Sequence, residues 1–166
     1  MQIAARKITP CLWFDCEAED AARFYCSIFK NSRLGQITRY VNEGQEIHGK
    51  EAGSVMAVEF EIAGQNFVGL NGGPQFKFTE AVSFQVHCDD QDEVDYFWDR
   101  LSEGGSEGPC GWLKDKFGLS WQIVPKALVA MLSSGDRSKA ERVTKAFLQM
   151  KKFDIAALER AFAGMN

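Results

Sequence analysis

The stretches CLWFDCEAEDAARFY, residues 11–25, and SFQVHCDDQDEVDYF, residues 83–97, align without gaps at an offset of 72 residues. Each runs from a strand candidate through a cysteine and an acidic cluster into a helix candidate with two adjacent aromatic residues. Acidic residues favour helix N-termini in general, so part of the match is capping chemistry. The agreement of strand, cap and aromatic pair at one offset indicates a tandem repeat.

Hydrophobic periodicity extends both copies in the same order of elements. In the first copy, strands are predicted at 8–14, 33–40, 54–62 and 66–71, with a helix at 20–29 and a hairpin turn at Gly64-Gln65. In the second copy, strands are predicted at 81–88, 112–114 and 119–124, with a helix at 91–102. The sequence therefore predicts an α+β fold in which residues 1–125 hold two βαβββ modules, module one at about 8–71 and module two at about 81–125.

Residues 126–166 have a different character. Asp136 and Asp154 are each placed to cap a helix, and the apolar stripes after them are too narrow to support an isolated helix. We expect a C-terminal helical extension that packs on the repeat domain or on a second subunit.

Composition narrows the class of protein. With 166 residues and 45% hydrophobic residues, the chain can form one domain that needs neither a metal nor a disulfide to fold. A net charge of -4 argues against a nucleic-acid partner. Two histidines, His48 and His87, exclude sites that need several. The absence of a long apolar stretch predicts a cytoplasmic protein with no membrane partner, in which all five cysteines are reduced.

Strand alternation predicts which side chains line a cavity. The more apolar face of each strand should cover the module's helix, and in the strand at 66–71 this assigns Val68 and Leu70 to the core. An aromatic lining with scattered neutral polar groups suits a small organic ligand. The predicted ligand-binding residues are Trp13, Phe67, Asn71, Ser83, Gln85, Trp112 and Ser120. Alternatives remain open: Trp13 also fits a core or dimer contact, and Asn71 also fits a simple turn.

Four segments resemble a known family: ITPCLWF at 8–14, LNGGP at 70–74, WLKDKFG at 112–118 and SWQIVP at 120–125. They are similar to the PhnB-like, or demethylubiquinone methyltransferase-like, branch of the vicinal oxygen chelate superfamily. That superfamily includes glyoxalase, bleomycin-resistance and dioxygenase proteins. The resemblance implies a glyoxalase-like fold in which two modules share a cavity, and it implies that homodimers are common.

The resemblance also implies where a divalent metal would bind, since the metal-dependent members take ligands from the first and last strand of each module. Those positions fall near Cys11, Gly69, Ser83 and Gln122, and Thr9 neighbours the first of them. A glycine, a serine and two ligands of unequal softness do not make a catalytic metal set. We therefore expect no metal and no other cofactor.

The favoured hypothesis is a metal-free protein that binds a small molecule and forms a homodimer. The alternative is a vicinal oxygen chelate enzyme of the lyase, isomerase or dioxygenase type, with His87, Gln122 or Cys11 as catalytic residues. Histidine is a common general base in enzymes, so His87 is a candidate for that role, although it also fits a hydrogen-bonded residue near a strand end. A true methyltransferase is disfavoured, because no glycine-rich loop joins a strand to a helix.

Overall fold

The computed structural model describes Ile3 and residues 6–165. The chain divides into two compact units, unit 1 at Met1–Lys77 and unit 2 at Phe78–Asn166. Unit 1 consists of β1 (Cys11–Phe14), α1 (Ala18–Ile28), β2 (Arg33–Arg39), α2 (Gln45–His48), β3 (Val55–Ile62) and β4 (Gln65–Asn71). Unit 2 consists of β5 (Ser83–Cys88), α3 (Gln91–Ser102), β6 (Ser106–Glu107), β7 (Trp112–Lys114), β8 (Ser120–Pro125), α4 (Lys126–Leu132), α5 (Arg137–Phe147) and α6 (Ile155–Ala163).

The two sheets have the same topology. Unit 1 has the strand order β1-β4-β3-β2, and unit 2 has the order β5-β8-β7-β6. In each sheet the first and last strands of the module pair in parallel, and the other neighbours are antiparallel. The predicted α+β fold of two βαβββ modules is therefore confirmed.

The core of unit 1 lies between α1 and one face of its sheet. Tyr25 is fully buried and approaches Phe60, which stacks on Phe67 with ring centroids 5.3 Å apart. Removing a buried aromatic side chain of this kind costs about 3–5 kcal/mol. A Cβ at Gly69 would lie 3.1 Å from the Ala18 Cβ, so the glycine lets β4 approach the helix closely.

The hairpin between β3 and β4 corrects the sequence prediction. Its two turn residues are Ala63 and Gly64, with φ of 47° and 83°, and Ile62 pairs with Gln65. Two residues with positive φ are typical of the type I′ turn that two-residue hairpins favour. The predicted turn at Gly64-Gln65 was therefore displaced by one residue.

The same register reverses the predicted faces of β4. Phe60 pairs with Phe67 and Val58 pairs with Gly69, so Phe67 and Gly69 lie on the helix side of the sheet. Val68 and Leu70, which the apolar pattern assigned to the core, lie on the opposite face. The predicted faces were wrong because they were assigned from the apolar character of Val68 and Leu70, whereas the pairing of β4 with β3 decides which face each side chain takes.

In unit 2, α3 covers the other sheet. Val94, Trp98 and Leu101 are its buried residues. On the sheet, the apolar face that includes Val86, Cys88, Leu113, Trp121 and Ile123 is buried as well. The helix at 91–102 and the strand at 112–114 have the predicted bounds. The short strand β6 was not predicted.

The predicted C-terminal extension is confirmed, and it packs on module two of its own chain. The Oδ1 atoms of Asp136 and Asp154 accept hydrogen bonds from Lys139 N at 3.0 Å and Ala157 N at 2.9 Å, as their capping roles require. The side chain of Gln91 at the start of α3 donates to Phe153 O at 3.0 Å and accepts from Ile155 N at 2.8 Å.

Helix α4, which the sequence pattern did not predict, belongs to the same apolar cluster as the two capped helices. The buried members of that cluster are Leu128, Met131, Val143, Phe153 and Leu158. None of the helices that the structure describes combines the length and apolar character that crossing a bilayer requires.

Candidate functional site

The face of each sheet opposite its module helix is called the open face here. In unit 2, β-ladder register pairs Ser83 with Ser120, Gln85 with Gln122, and His87 with Val124. Trp112 also pairs with Gln122. Six of the residues selected from the sequence therefore share one open face: Ser83, Gln85, His87, Trp112, Ser120 and Gln122. Their shared face follows the predicted alternation, and their roles in binding or catalysis stay predictions.

A chain of amide and hydroxyl groups crosses this face. Gln122 Nε2 donates to Ser83 Oγ at 2.8 Å, and Gln122 Oε1 accepts from Gln85 Nε2 at 3.3 Å. Both ends of the Gln122 amide are thus engaged within the sheet. The two hydrogen bonds fix the side chain of Gln122 in place. They also occupy its Oε1, the atom that would coordinate a metal.

A groove of about 460 Å³ opens along β6 and β7 of unit 2. Its lining residues are Glu80, Ser106, Glu107, Gly108, Pro109, Trp112, Leu113, Lys114 and Ser120. Ser120 is fully buried, and its Oγ has no hydrogen-bond partner among the described residues. Leaving a buried hydroxyl unpaired costs about 1–3 kcal/mol, so a ligand that pairs with it gains binding energy.

An ion pair lies at the edge of this groove. Lys114 Nζ lies 2.6 Å from Glu80 Oε1, and both side chains are partly exposed. The hydrogen bond from Lys114 lowers the pKa of the Glu80 carboxyl. The groove therefore combines an indole, a buried hydroxyl and a carboxylate–ammonium pair, groups that bind an aromatic ring and its polar substituents.

On the open face of unit 1, Cys11, Val68 and Glu59 form a row across β1, β4 and β3. Glu59 Oε2 is the second buried side-chain atom without a hydrogen-bond partner in the described part of the chain. Sequence reasoning left Glu59 unassigned, although its alternation with apolar neighbours already placed it on the polar face of its strand. Burial raises the pKa of the Cys11 thiol, which disfavours the thiolate needed for nucleophilic attack or metal binding.

Trp13 lies on the same open face and contacts the segment that follows β4. Its indole Nε1 donates to Gly73 O at 2.8 Å, and its ring meets that of Phe76 edge-on with centroids 4.9 Å apart. A Cβ at Gly72 would come within 2.1 Å of the Trp13 ring. These contacts give Trp13 a structural role in unit 1.

The predicted placement of Phe67 and Asn71 on the ligand side was wrong. Phe67 is 5% exposed and lies in the core. Asn71 Oδ1 accepts from Ala18 N at 2.8 Å, and its Nδ2 donates to Val55 O at 3.1 Å. Asn71 therefore caps α1 from a neighbouring strand, which is a long-range contact that sequence spacing does not reveal.

The positions that correspond to metal ligands in the superfamily do not fit a divalent ion. Gly69 has no side chain and lies beneath α1. The side chains of Ser83 and Gln122 are hydrogen-bonded to each other, and burial raises the pKa of the Cys11 thiol. Across the described residues, no group of three or more His, Cys, Asp or Glu side chains could hold a metal ion.

Comparison with known proteins agrees with this architecture. The family model described as 3-demethylubiquinone-9 3-methyltransferase matches residues 6–124. The solved structure of the PhnB protein from Bacillus cereus is 32% identical, with a TM-score of 0.62 over 72% of this chain and 99% of that one.

Two more distant structures share less sequence. Protein PA1353 from Pseudomonas aeruginosa is 17% identical, with a TM-score of 0.58 over 73% of this chain and 98% of that one. The fosfomycin resistance protein FosX from Mesorhizobium loti is 13% identical, with a TM-score of 0.49 over 74% of this chain and 92% of that one. None of the curated proteins compared with the chain matches it.

The duplicated topology, the family match over residues 6–124 and the identity to the Bacillus cereus protein lead to one conclusion. The chain belongs to the 3-demethylubiquinone-9 3-methyltransferase family, the PhnB-like branch of the vicinal oxygen chelate superfamily.

Proposed function

We propose that this protein binds a small organic ligand, without the divalent metal of its superfamily, in the groove along β6 and β7 of its second module. The observation that carries the proposal is the hydroxyl of Ser120, buried without a described partner in a groove that Trp112 also lines. Buried polar groups in folded proteins are nearly always hydrogen-bonded, so an unpaired one in a groove favours a bound partner.

The groups in the groove define the chemistry of the ligand. Trp112 offers a flat indole for stacking, and Ser120 Oγ can donate or accept one hydrogen bond. The exposed pair of Lys114 and Glu80 can open to meet a polar substituent. A ligand with an aromatic ring and a hydroxyl group satisfies the first two groups at once.

Phenol and toluene are probes that test this proposal, because they differ only in a hydroxyl and a methyl group. We expect titrations followed by ¹H–¹⁵N NMR on the full chain to show phenol shifting resonances of residues 106–109, 112–114 and 120. A ligand of this size should bind with Kd of about 1 mM, and toluene should bind more weakly.

Two variants identify the group responsible. Ser120→Ala should remove the preference for phenol over toluene. Ser106→Ala, which removes an exposed hydroxyl from the same groove, should keep it. Equal affinity of the wild-type chain for the two probes, or a phenol preference that survives Ser120→Ala, would overturn the proposal.

We also propose that the protein forms a homodimer. Several large apolar side chains are exposed on the single chain, among them Ile47 at 86%, Phe76 at 64% and Val82 at 64%. Exposed apolar groups of this size are often covered in an assembly. Light scattering coupled to size exclusion should give twice the 18.6 kDa mass of one chain, and a monomer mass at about 100 μM would contradict this.

A further inference from the structure

A groove of about 590 Å³ lies along α5 and α6 in the C-terminal extension, and no candidate residue of the proposed ligand site belongs to it. Its basic lining residues are Arg142, Lys145 and Arg160, and none of its described lining residues is acidic. The chain as a whole carries a net charge of -4, whereas the charged residues that line this groove are all positive. We propose that it binds a small organic anion carrying two or more negative charges, such as a phosphate monoester.

Arg142 provides a fixed positive charge in this groove. Its Nε donates to Ala161 O at 2.9 Å and its Nη2 donates to Phe162 O at 2.8 Å, at the C-terminal end of α6. Its Nη1 donates to Ser138 Oγ at 3.2 Å. These bonds satisfy carbonyl groups that would otherwise repel an anion through the negative end of the helix dipole.

Lys145 and Arg160 are the two cations available to a ligand. They come from different helices, α5 and α6, and neither forms an ion pair or hydrogen bond with any described side chain. Other cations of the extension are already paired, as Arg137 with Glu141 and Lys152 with Asp95 show. Unpaired cations that face one groove raise the local concentration of anions.

The remaining lining of the groove favours a small organic ion. Ala146, Ala157 and Ala161 leave room between the helices and present methyl groups to the apolar part of a ligand. The volume of the groove lies within the range of about 300–1,000 Å³ that is usual for small-molecule sites. A guanidinium fork and an ammonium group together match the geometry of phosphate oxygens.

Phenyl phosphate is the probe for this proposal, and inorganic phosphate is the comparison that lacks the apolar ring. In ¹H–¹⁵N NMR titrations at low salt, we expect phenyl phosphate to shift resonances of residues 145–149 and 157–164. Lys145→Gln and Arg160→Gln should each raise its Kd by up to about fivefold, the upper end of the effect of one exposed ion pair. Inorganic phosphate should bind to the same residues more weakly.

The matched control is Arg137→Gln, which removes one positive charge from α5 at a side chain that is 92% exposed and paired with Glu141. It should leave the Kd for phenyl phosphate unchanged. If Arg137→Gln weakens the binding of phenyl phosphate as much as the other two substitutions do, the effect comes from net charge and not from a specific site, and the proposal is overturned. Tighter binding of a 20-base-pair DNA duplex than of phenyl phosphate at 150 mM salt, lost in Lys145→Gln, would replace the small anion by a nucleic acid.

Discussion

The side-chain Oδ1 of Asn71 accepts a 2.8 Å hydrogen bond from the backbone N–H of Ala18, 53 residues earlier in the chain. The residue before α1, Glu17, makes no side-chain capping bond. One residue at the end of β4 thus supplies the cap that local sequence does not, and it ties the first helix of module one to the last strand.

Replacing Asn71 by alanine should therefore destabilise unit 1. The variant loses the bond to Ala18 N and the bond to Val55 O, and both backbone groups are left without these partners. We expect a loss of about 1–3 kcal/mol in the free energy of unfolding measured by urea denaturation. Asn42→Ala, in an exposed loop of the same unit, is the control and should change stability by less than about 0.5 kcal/mol.

Substitutions at Gly72 and Trp13 should have coupled effects on the free energy of unfolding. A methyl group at position 72 would lie 2.1 Å from the indole ring, so Gly72→Ala must displace Trp13 and break its bond to Gly73 O. Overpacking of this kind costs about 1–3 kcal/mol. In a double-mutant cycle, Gly72→Ala should cost much less in the Trp13→Ala background. If the stability losses of the two single variants simply add up in the double variant, the contact between Gly72 and Trp13 does not contribute to stability.

Acid should weaken the attachment of the C-terminal extension to α3. A hydrogen bond from Lys152 holds the pKa of Asp95 below its usual value, with a second contribution from Gln91. A carboxyl with a lowered folded pKa stabilises the protein above its unfolded pKa of about 3.9, and this stabilisation is lost as pH falls through the folded value.

Asp95→Asn should therefore lower the Tm slightly at pH 6 and leave it unchanged at pH 2. The effect is small because both side chains are exposed to solvent by more than a third. In a Lys152→Gln background the same substitution should have almost no effect at either pH. A Tm difference that persists at pH 2 would show that charge is not its cause.

Chelation of divalent metals should leave ligand binding intact. Since the superfamily's ligand positions do not form a donor set here, phenol should shift the same resonances before and after treatment with EDTA. Elemental analysis of the full chain after incubation with Zn²⁺ or Mn²⁺ and dialysis should find far less than one ion per chain. One ion per chain, lost in Cys11→Ala or Gln122→Ala, would contradict the expectation.

S-adenosylmethionine should not bind. Each sheet has one parallel strand pair, whereas cofactor sites of doubly wound folds lie at the carboxyl ends of several parallel strands. Isothermal titration of the full chain should give no saturable heat at cofactor concentrations up to about 1 mM. Stoichiometric binding in the micromolar range would restore methyl transfer as a candidate activity.

Elements with strong local signals could be predicted from the sequence. The helix α3 has the predicted bounds because Asp90 caps it and its apolar residues recur at helical spacing. Asp136 and Asp154 marked the starts of two later helices in the same way. The two module sheets could be predicted from the repeat, since both copies carry the same order of elements.

The errors came from features that local pattern does not contain. Val68 and Leu70 are the more apolar residues of β4, yet the turn at Ala63-Gly64 sets the register and turns them away from α1. Pairing β4 with β3 across the hairpin, at either position of the turn, would have placed Phe67 and Asn71 on the helix side. Helix α4 begins directly after β8 with no side-chain capping bond at Pro125, so it lacked a start signal. The unpaired Ser120 Oγ depends on tertiary packing and could not be foreseen.

The hydrogen bonds of Gln91 distinguish the second module from the first. Its amide is hydrogen-bonded to the backbone at residues 153 and 155, so the second half of the chain includes a helical support that the described part of the first half lacks. The transferable piece of this molecule is therefore residues 78–165, and a chimera that grafts only the repeat at 81–125 would leave α3 without its anchor. The two modules share one topology, and α3 of the second module is additionally held by hydrogen bonds to the C-terminal extension.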